Sequence, residues 1–287
     1  MSPRVRPDFA SIARAGGEDR TIAQIIEHYC LETELARRLK MSDRPARRKL
    51  YREVYEELFA KISHHPQHTR PHTGSEHVEA QAGLLRTLVP QGGVFVEIGA
   101  GDGRLSIAMA GHCAQVVAVD VTATIADTTA PPANFRFLLT DGTAFDLEDD
   151  SVDFAYSNQL MEHLHPDDAR EQLREIYRIL RHGGRYFCIT PNANSGPHDI
   201  SMFFDRRASG LHLKEYSYGS LAQEMRIAGF ASARPMLVRK RKSYRMPLGA
   251  ARAIEIVTRM AERLPGPSLR LNPKVRALLG VNMLAVK

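Results

Sequence analysis

The sequence predicts an α/β fold, doubly wound about a mostly parallel seven-stranded sheet and preceded by an N-terminal helical extension. Three observations carry this. Short runs rich in Val, Phe and Ile recur between residues 94 and 190, helical periodicity separates several of them, and a glycine-rich turn follows the first run. Such alternation implies right-handed βαβ crossovers, with ligands bound at the carboxyl ends of the strands.

Residues 1–19, rich in Arg, Pro and Gly, read as a mobile arm. From Thr21 to Lys40, Ile22, Ile25, Ile26, Tyr29 and Leu39 recur at helical spacing. A second helix follows Ser42-Asp43, with Pro45 in its first turn and Leu50, Val54, Leu58, Phe59 and Ile62 on one face. The stretch 63–77 reads as loop, and a helix from about Ser75 to Val89 leads into the sheet.

Strand signals lie at 94–99, 116–120, 135–140, 152–157 and 185–190. Helical signals lie at 103–111, more weakly after 120, and at 166–181, the last closed by Gly183-Gly184 as a C-cap. An irregular stretch (191–218), a helix (219–228) and an apolar segment ending at Val238 follow, and Val281–Val286 makes a final strand. Within 248–264, Ile254, Val257, Ala261 and Leu264 share one face, while Arg252, Glu255, Arg259 and Glu262 share another. The expected organisation is an arm and helical cap (1–74), a core (75–239 plus 280–287) and a basic helical insertion (240–279).

The net charge of +6 is concentrated: between Arg234 and Arg276, twelve Lys/Arg stand against Glu255 and Glu262. No stretch approaches the roughly 20 apolar residues of a membrane span, and the N-terminus lacks a signal-peptide core. Cys30, Cys113 and Cys188 lie far apart without CxxC spacing, so a reducing cytoplasm is expected. His64, His65, His68, His72 and His77 match no standard zinc spacing and read as incidental loop histidines, although His72 or a neighbour could close over a ligand. No metal site is read from the sequence.

After the first strand comes Glu97-Ile98-Gly99-Ala100-Gly101-Asp102-Gly103. A dinucleotide fingerprint would place its third glycine at 104, where Arg104 stands. With Asp120, Asp141-Gly142, Ser157-Asn158 to Glu162-His163, and Leu180 to Gly184, spaced at about one βαβ unit each, the chain resembles the class I methyltransferase family and its small-molecule group. The resemblance covers roughly 75–235 and the last strand. It implies a Rossmann-like sheet and S-adenosyl-L-methionine held by Glu97, Gly99, Ala100, Gly101, Gly103, Asp120, Val121, Asp141, Gly142 and Asn158. In it Asp120 would accept from the ribose hydroxyls. Asp141 and Gly142 would lie beside the adenine, Glu97 would organise the loop, and Asn158 would face the methionine moiety.

Methyl transfer to a hydroxyl requires in-line alignment and a base, so His163 and His165 are candidate catalytic residues, with a polar pocket role or a helix cap as the alternatives. His198, Asp199, His212 and Glu215 are candidate acceptor-pocket residues, in a pattern that resembles uncharacterised bacterial methyltransferases, some linked to glycan or secondary-metabolite synthesis. Asp167-Asp168 read as the charged start of a helix. The expected activity is O-methylation of a small polar molecule or glycan. The alternatives are an RNA or protein methyltransferase using the basic segment as platform, or a non-catalytic cofactor-binding module. Residues 239–276 could contact an anionic membrane surface or pack as a solvated helix on the core. Nucleic acid is disfavoured by the scarcity of aromatics there, Tyr244 being the sole one. The N-terminal helices could form a lid or a homodimer contact.

Overall fold

The computed structural model describes residues 3–66, 75–123, 130–239, 242–262, 269 and 272–287. Its helices are α1 (Phe9–Gly16), α2 (Ile22–Met41), α3 (Arg44–Lys61), α4 (Ser75–Leu85), α5 (Arg104–Met109), α6 (Pro166–Ile179), α7 (Tyr218–Ile227), α8 (Leu248–Ala261) and α9 (Pro273–Leu279). Its strands are β1 (Val94–Ile98), β2 (Gln115–Asp120), β3 (Phe135–Leu139), β4 (Val152–Asn158), β5 (Leu180–Thr190), β6 (Ser232–Arg239), β7 (Lys242–Arg245) and β8 (Val281–Val286). Among the described residues no helix is long and apolar enough to cross a membrane.

The sheet order is β3-β2-β1-β4-β5-β8-β6-β7. Strands β1 to β5 pair in parallel, while β8 runs antiparallel to both β5 and β6. The direction of winding reverses between β1 and β4, where open α/β sheets bind ligands. Side chains alternate across the sheet. Val96, Ile98, Val117, Val119 and Ala155 pack on one face with α2, α3, α6 and α7. Phe95, Val116, Phe154 and Phe187 pack on the other with α4 and α5.

Among the described residues the sheet has eight strands rather than seven. Strand β7 lies inside the segment expected to be a helical insertion and pairs Arg239 with Lys242 through Met236 with Arg245. Its charged, non-alternating sequence is what an exposed edge strand tolerates. The expected Gly183-Gly184 cap is also corrected. Helix α6 ends where buried Leu180 turns extended (φ −69°, ψ 139°) and pairs with Val152. The glycines instead serve the irregularity between that pair and Phe154–Arg185: Gly183 has φ 76°, and a Cβ on Gly184 would lie 2.7 Å from Arg181 O.

The N-terminal segment is part of the same core. Its arm is ordered: Ile12 of α1 packs with Ile200 and Phe203, and Arg6 N donates to Phe203 O at 2.8 Å. Helix α2 starts at a capping box in which Thr21 and Gln24 each accept from the other's backbone N–H. Its buried stripe runs Ile25, His28, Glu32, Leu35, Ala36 and Leu39, leaving Ile22 exposed against expectation. Each fully buried Ile or Leu contributes about 1.5–3 kcal/mol, enough to carry two polar residues whose hydrogen bonds are made.

Helix α3 starts at Asp43, as expected, whose Oδ1 accepts from Ala46 N at 2.9 Å. It is locked to α6 by Arg47, which forks onto Asp168 (Nε to Oδ2 2.6 Å, Nη2 to Oδ1 2.9 Å), while Tyr51 Oη donates to the same carboxylate at 2.8 Å. Asp168 is therefore an inter-helix anchor and not only a complement to the helix dipole. Burial works to raise its pKa, but Arg47 and Tyr51 hold it below the usual range.

Helix α8 departs from its expected faces. It packs through Ala251, Glu255 and Thr258, whereas Ile256, Val257 and Met260 are 57–64% exposed. Glu255 is buried because Oε1 accepts from Asn192 Nδ2 (2.8 Å) and Tyr218 N (2.9 Å), which satisfies the carboxylate.

Candidate active site

Beyond β1 the chain turns through Gly99, Gly101 and Gly103, with φ of 73°, 56° and 74°. At Gly99 a Cβ would also meet Leu160 Cδ1 at 3.1 Å, so both the conformation and the close approach require glycine. Gly99 N and Ala100 N donate to Val119 O at 2.8 and 3.1 Å, tying the loop to β2. Asp120, at the end of β2, accepts from Gly101 N (Oδ2, 2.8 Å), Val121 N (Oδ1, 2.7 Å) and Thr122 N (Oδ1, 3.2 Å). Burial raises its pKa against these donors. Behind the loop, Glu97 is buried and accepts from Ser106 Oγ at 2.6 Å. Burial pushes its carboxyl up to about 8, so it is protonated at neutral pH.

A cavity of about 590 Å³ lies over these strand ends, a volume typical of small-molecule sites. One end is lined by Ile98, Gly99, Val119, Asp120, Val121 and Gly142, and the other by His28, Glu32, Tyr55, His163, Asp199 and His212. Of the expected cofactor residues, Gly99, Asp120, Val121 and Gly142 thus line it directly. Gly101 acts through Asp120. Glu97, Ala100 and Gly103 shape the loop from outside the lining. Asp141 is committed to its own turn, with Oδ1 accepting from Thr143 N (2.8 Å), Thr143 Oγ1 (2.9 Å) and Ala144 N (3.1 Å). Asn158 ends β4 without reaching the lining. The positive φ of Gln159 (54°) turns the chain so that Gln159 and Leu160 line the cavity instead.

The two candidate catalytic histidines part company. His165 is outside the lining: its Nδ1 accepts from Asp167 N at 3.3 Å and its backbone N donates to Tyr51 Oη at 2.8 Å. It caps α6, the alternative role read for it from the sequence. His163 does face the cavity. Its Nδ1 donates to Leu211 O at 3.2 Å, and its ring meets His212 edge-on at 4.8 Å between centroids. Burial, with the charge of His212 beside it, pushes its pKa down to about 3. The imidazole is unprotonated at neutral pH, suited to accept a hydrogen bond but weak as a final proton acceptor.

The four acceptor-pocket candidates do converge. His212 Nδ1 donates to Glu215 Oε1 at 3.0 Å, and His198 N donates to the same oxygen at 2.7 Å. Burial works to lower the His212 pKa, but Glu215 and the charges of Glu162 and Asp199 raise it overall. Asp199 Oδ2 accepts from His212 N at 3.3 Å, and Oδ1 from Ser201 N and Oγ. His198, Asp199 and His212 line the cavity, while Glu215 supports them from behind.

Half of the chamber comes from residues that sequence reasoning missed. Arg20 Nη1 donates to His28 Nδ1 at 2.7 Å, His28 Nε2 donates to Glu32 Oε1 at 2.7 Å, and Glu32 Oε2 accepts from Leu211 N at 3.1 Å. Arg20 is itself held by Glu18 through a fork of two 2.8 Å bonds. This relay fixes the His28 tautomer. The available signal was the i, i+4 placement of His28 and Glu32 within the buried stripe of α2. In the histidine-rich stretch, His65 lines the cavity and packs edge-on against Phe59 and His28. His64 Nε2 donates to Gln24 O at 3.0 Å, and His77 lies on α4. His68 and His72 lie outside the described residues.

Residues 96–188 match a family described as "Methyltransferase domain". No curated protein matches the chain. Solved structures share the fold. The methyltransferase complex with the Trm112 activator from Haloferax volcanii is 18% identical, with 73% of this chain and 88% of that one covered and a TM-score of 0.51. The 1,6-didemethyltoxoflavin-N1-methyltransferase of Burkholderia thailandensis is 20% identical over 83% and 88% of the two chains, with a TM-score of 0.50. A candidate O-methyltransferase of Nostoc punctiforme is 15% identical over 93% and 72%, with a TM-score of 0.51. The match to a methyltransferase domain spans the glycine loop, the acid of β2 and the end of β4, which the fold brings to one cavity: residues 96–188 carry a methyltransferase domain, and the chain shares its fold with S-adenosylmethionine-dependent methyltransferases.

Proposed function

We propose that the enzyme transfers the methyl group of S-adenosylmethionine to a hydroxyl of a small polar molecule or glycan unit. The observation that carries this reading is the single cavity running from Gly99 and Asp120 to His163 and His212. The cofactor lies along the β1, β2 and Gly142 end, with its ribose on Asp120. The acceptor lies at the other end, among imidazoles and carboxylates able to hold a hydroxyl in line with the sulfonium methyl. His163 accepts a hydrogen bond from that hydroxyl through its unprotonated Nε2. As the C–O bond forms the C–S bond breaks, S-adenosylhomocysteine leaves with the electron pair, and the hydroxyl proton passes on to water.

Enclosure of the chamber by α2, α3 and the 198–212 segment supports a small acceptor over a folded polymer. Free thiols at Cys113 and Cys188, both buried, support a cytoplasmic location. A peripheral contact through 239–276 is a second part of the reading. It is favoured by Ile256, Val257 and Met260 lying exposed on a helix that also carries Arg252 and Arg259.

The test is incubation with radiolabelled methyl donor and fractionated acceptor pools. Label is expected in small molecules or glycans. Label confined to RNA or protein would overturn the acceptor class, and label in no pool would overturn the activity on hydroxyls.

A further inference from the structure

Glu162 lies buried behind the acceptor end of the cavity, where it meets His163 and His212 of the lining in a manner that hydroxyl binding alone does not use. One donor atom from each lies within 4.8 Å of the other two. Both histidines have Nδ1 engaged as a donor, His163 to Leu211 O and His212 to Glu215 Oε1. With Nδ1 donating, each ring meets a cation through Nε2, and at His212, whose charged form its acidic neighbours favour, the cation displaces the Nε2 proton. Glu162 is fully buried. Its Oε2 accepts from Thr190 Oγ1 at 2.9 Å, whereas its Oε1 has no hydrogen-bond partner among the described residues. A buried carboxylate oxygen left in this state is costly.

We propose that these three residues bind one divalent first-row cation through Glu162 Oε1, His163 Nε2 and His212 Nε2. Two imidazoles and one carboxylate are a donor set for Zn²⁺, Co²⁺, Mn²⁺ or Fe²⁺, with further positions left open. The supporting bonds are those expected behind metal ligands: ring N–H to a backbone carbonyl, ring N–H to a carboxylate, and a hydroxyl on the second carboxylate oxygen. The other histidine–carboxylate group, His28, Glu32 and His65, differs in kind. Arg20 and Glu32 engage both ring nitrogens of His28, so no lone pair is left there without displacing Arg20.

The catalytic use of such an ion rests on the acceptor class proposed above and replaces the hydrogen bond to His163 Nε2, whose lone pair the ion takes: an acceptor hydroxyl on an open position would be aligned and made more acidic. Metal binding itself does not rest on it. The test is a titration of tag-free, chelator-stripped protein with Co²⁺, followed by visible absorption, with Zn²⁺ competition. One Co²⁺ per chain is expected, with d–d bands that Zn²⁺ abolishes. The affinity should fall at least tenfold in Glu162→Gln and in His212→Ala, and stay within twofold in His28→Ala. S-adenosylmethionine titration of each variant reports whether it is folded, and reports separately on the cofactor reading. Wild-type protein that binds the cofactor but no stoichiometric Co²⁺ would overturn the proposal. So would undiminished Co²⁺ affinity in a folded His163→Asn, His212→Ala double variant.

Discussion

At the cofactor end of the cavity, the groups that meet the ligand come from turns directly after β1 and β2, and several are backbone atoms. At the acceptor end they come from segments as distant as Arg20 and His212 and are almost all side chains. The first construction is local: three glycines and one aspartate, with the Asp120 carboxylate tied to Gly101 N, make a site wherever a parallel strand ends. The second exists only once α2 and α3 have docked over the strand ends. The docking rests on apolar burial and on the Arg47–Asp168–Tyr51 anchor. On the function proposed above, the difference teaches that the methyl donor would be read by backbone geometry and the acceptor by tertiary assembly.

The largest expected effect breaks that assembly. Arg47→Ala leaves the Asp168 carboxylate buried with Tyr51 as its remaining side-chain donor, and loss of one partner of a buried ion pair costs about 3–5 kcal/mol. Urea denaturation should show a loss of that size, while the folded fraction keeps S-adenosylmethionine affinity within tenfold. A loss below 1 kcal/mol would show that α3 does not depend on this anchor.

Next comes a pH effect at the cofactor end. The Glu97 carboxyl is raised from 4.5 to about 8, so the folded state keeps a proton that the unfolded state releases. Its contribution is complete below pH 4.5 and is lost as pH rises through about 8, at most about 1.4 kcal/mol per pH unit. Glu97→Gln should flatten stability between pH 5 and 8. An unchanged slope in that variant would mean that Glu97 is ionised in the folded protein.

Asp120→Ala is expected to weaken cofactor binding about 100-fold, from two charge-assisted hydrogen bonds to the ribose at about 1.5 kcal/mol or more each. Isothermal titration decides it, and equal affinity in both proteins would remove Asp120 from the site.

The local end was also the readable one. Glycine spacing, a strand-end acid and Arg104 in place of a dinucleotide glycine are features of neighbouring residues, so the chain order displays them. The helix start read at Ser42-Asp43 with Pro45 is local in the same sense. Residues whose role depends on a distant contact were misread or missed. Glu255 looked solvated until Asn192 and Tyr218 N arrived from elsewhere in the chain. His28 and Glu32 interrupt an apolar stripe, and nothing before folding shows that Arg20 and Leu211 N complete their bonds. Strand β7 carries no apolar alternation, as an edge strand beside β6 among the described residues tolerates.

The smallest effect is the one that isolates the acceptor end. In Glu32→Gln the side chain keeps one acceptor oxygen but must serve two donors, His28 Nε2–H and Leu211 N–H. His28 cannot change tautomer to help, because Arg20 donates to its Nδ1. The amide therefore sets its NH₂ against one of the two N–H groups. The Leu211 tether is the one that yields, since it is the longer bond (3.1 Å against 2.7 Å). Leu211 O also receives His163 Nδ1–H, so a shift there reorients an imidazole that faces the acceptor. The acceptor KM should rise about tenfold, in line with one lost charged hydrogen bond, while the cofactor Kd stays within twofold. Comparable losses in both constants would show that the two ends are coupled through Leu211, and the contrast between a backbone-read donor and an assembly-read acceptor would not hold.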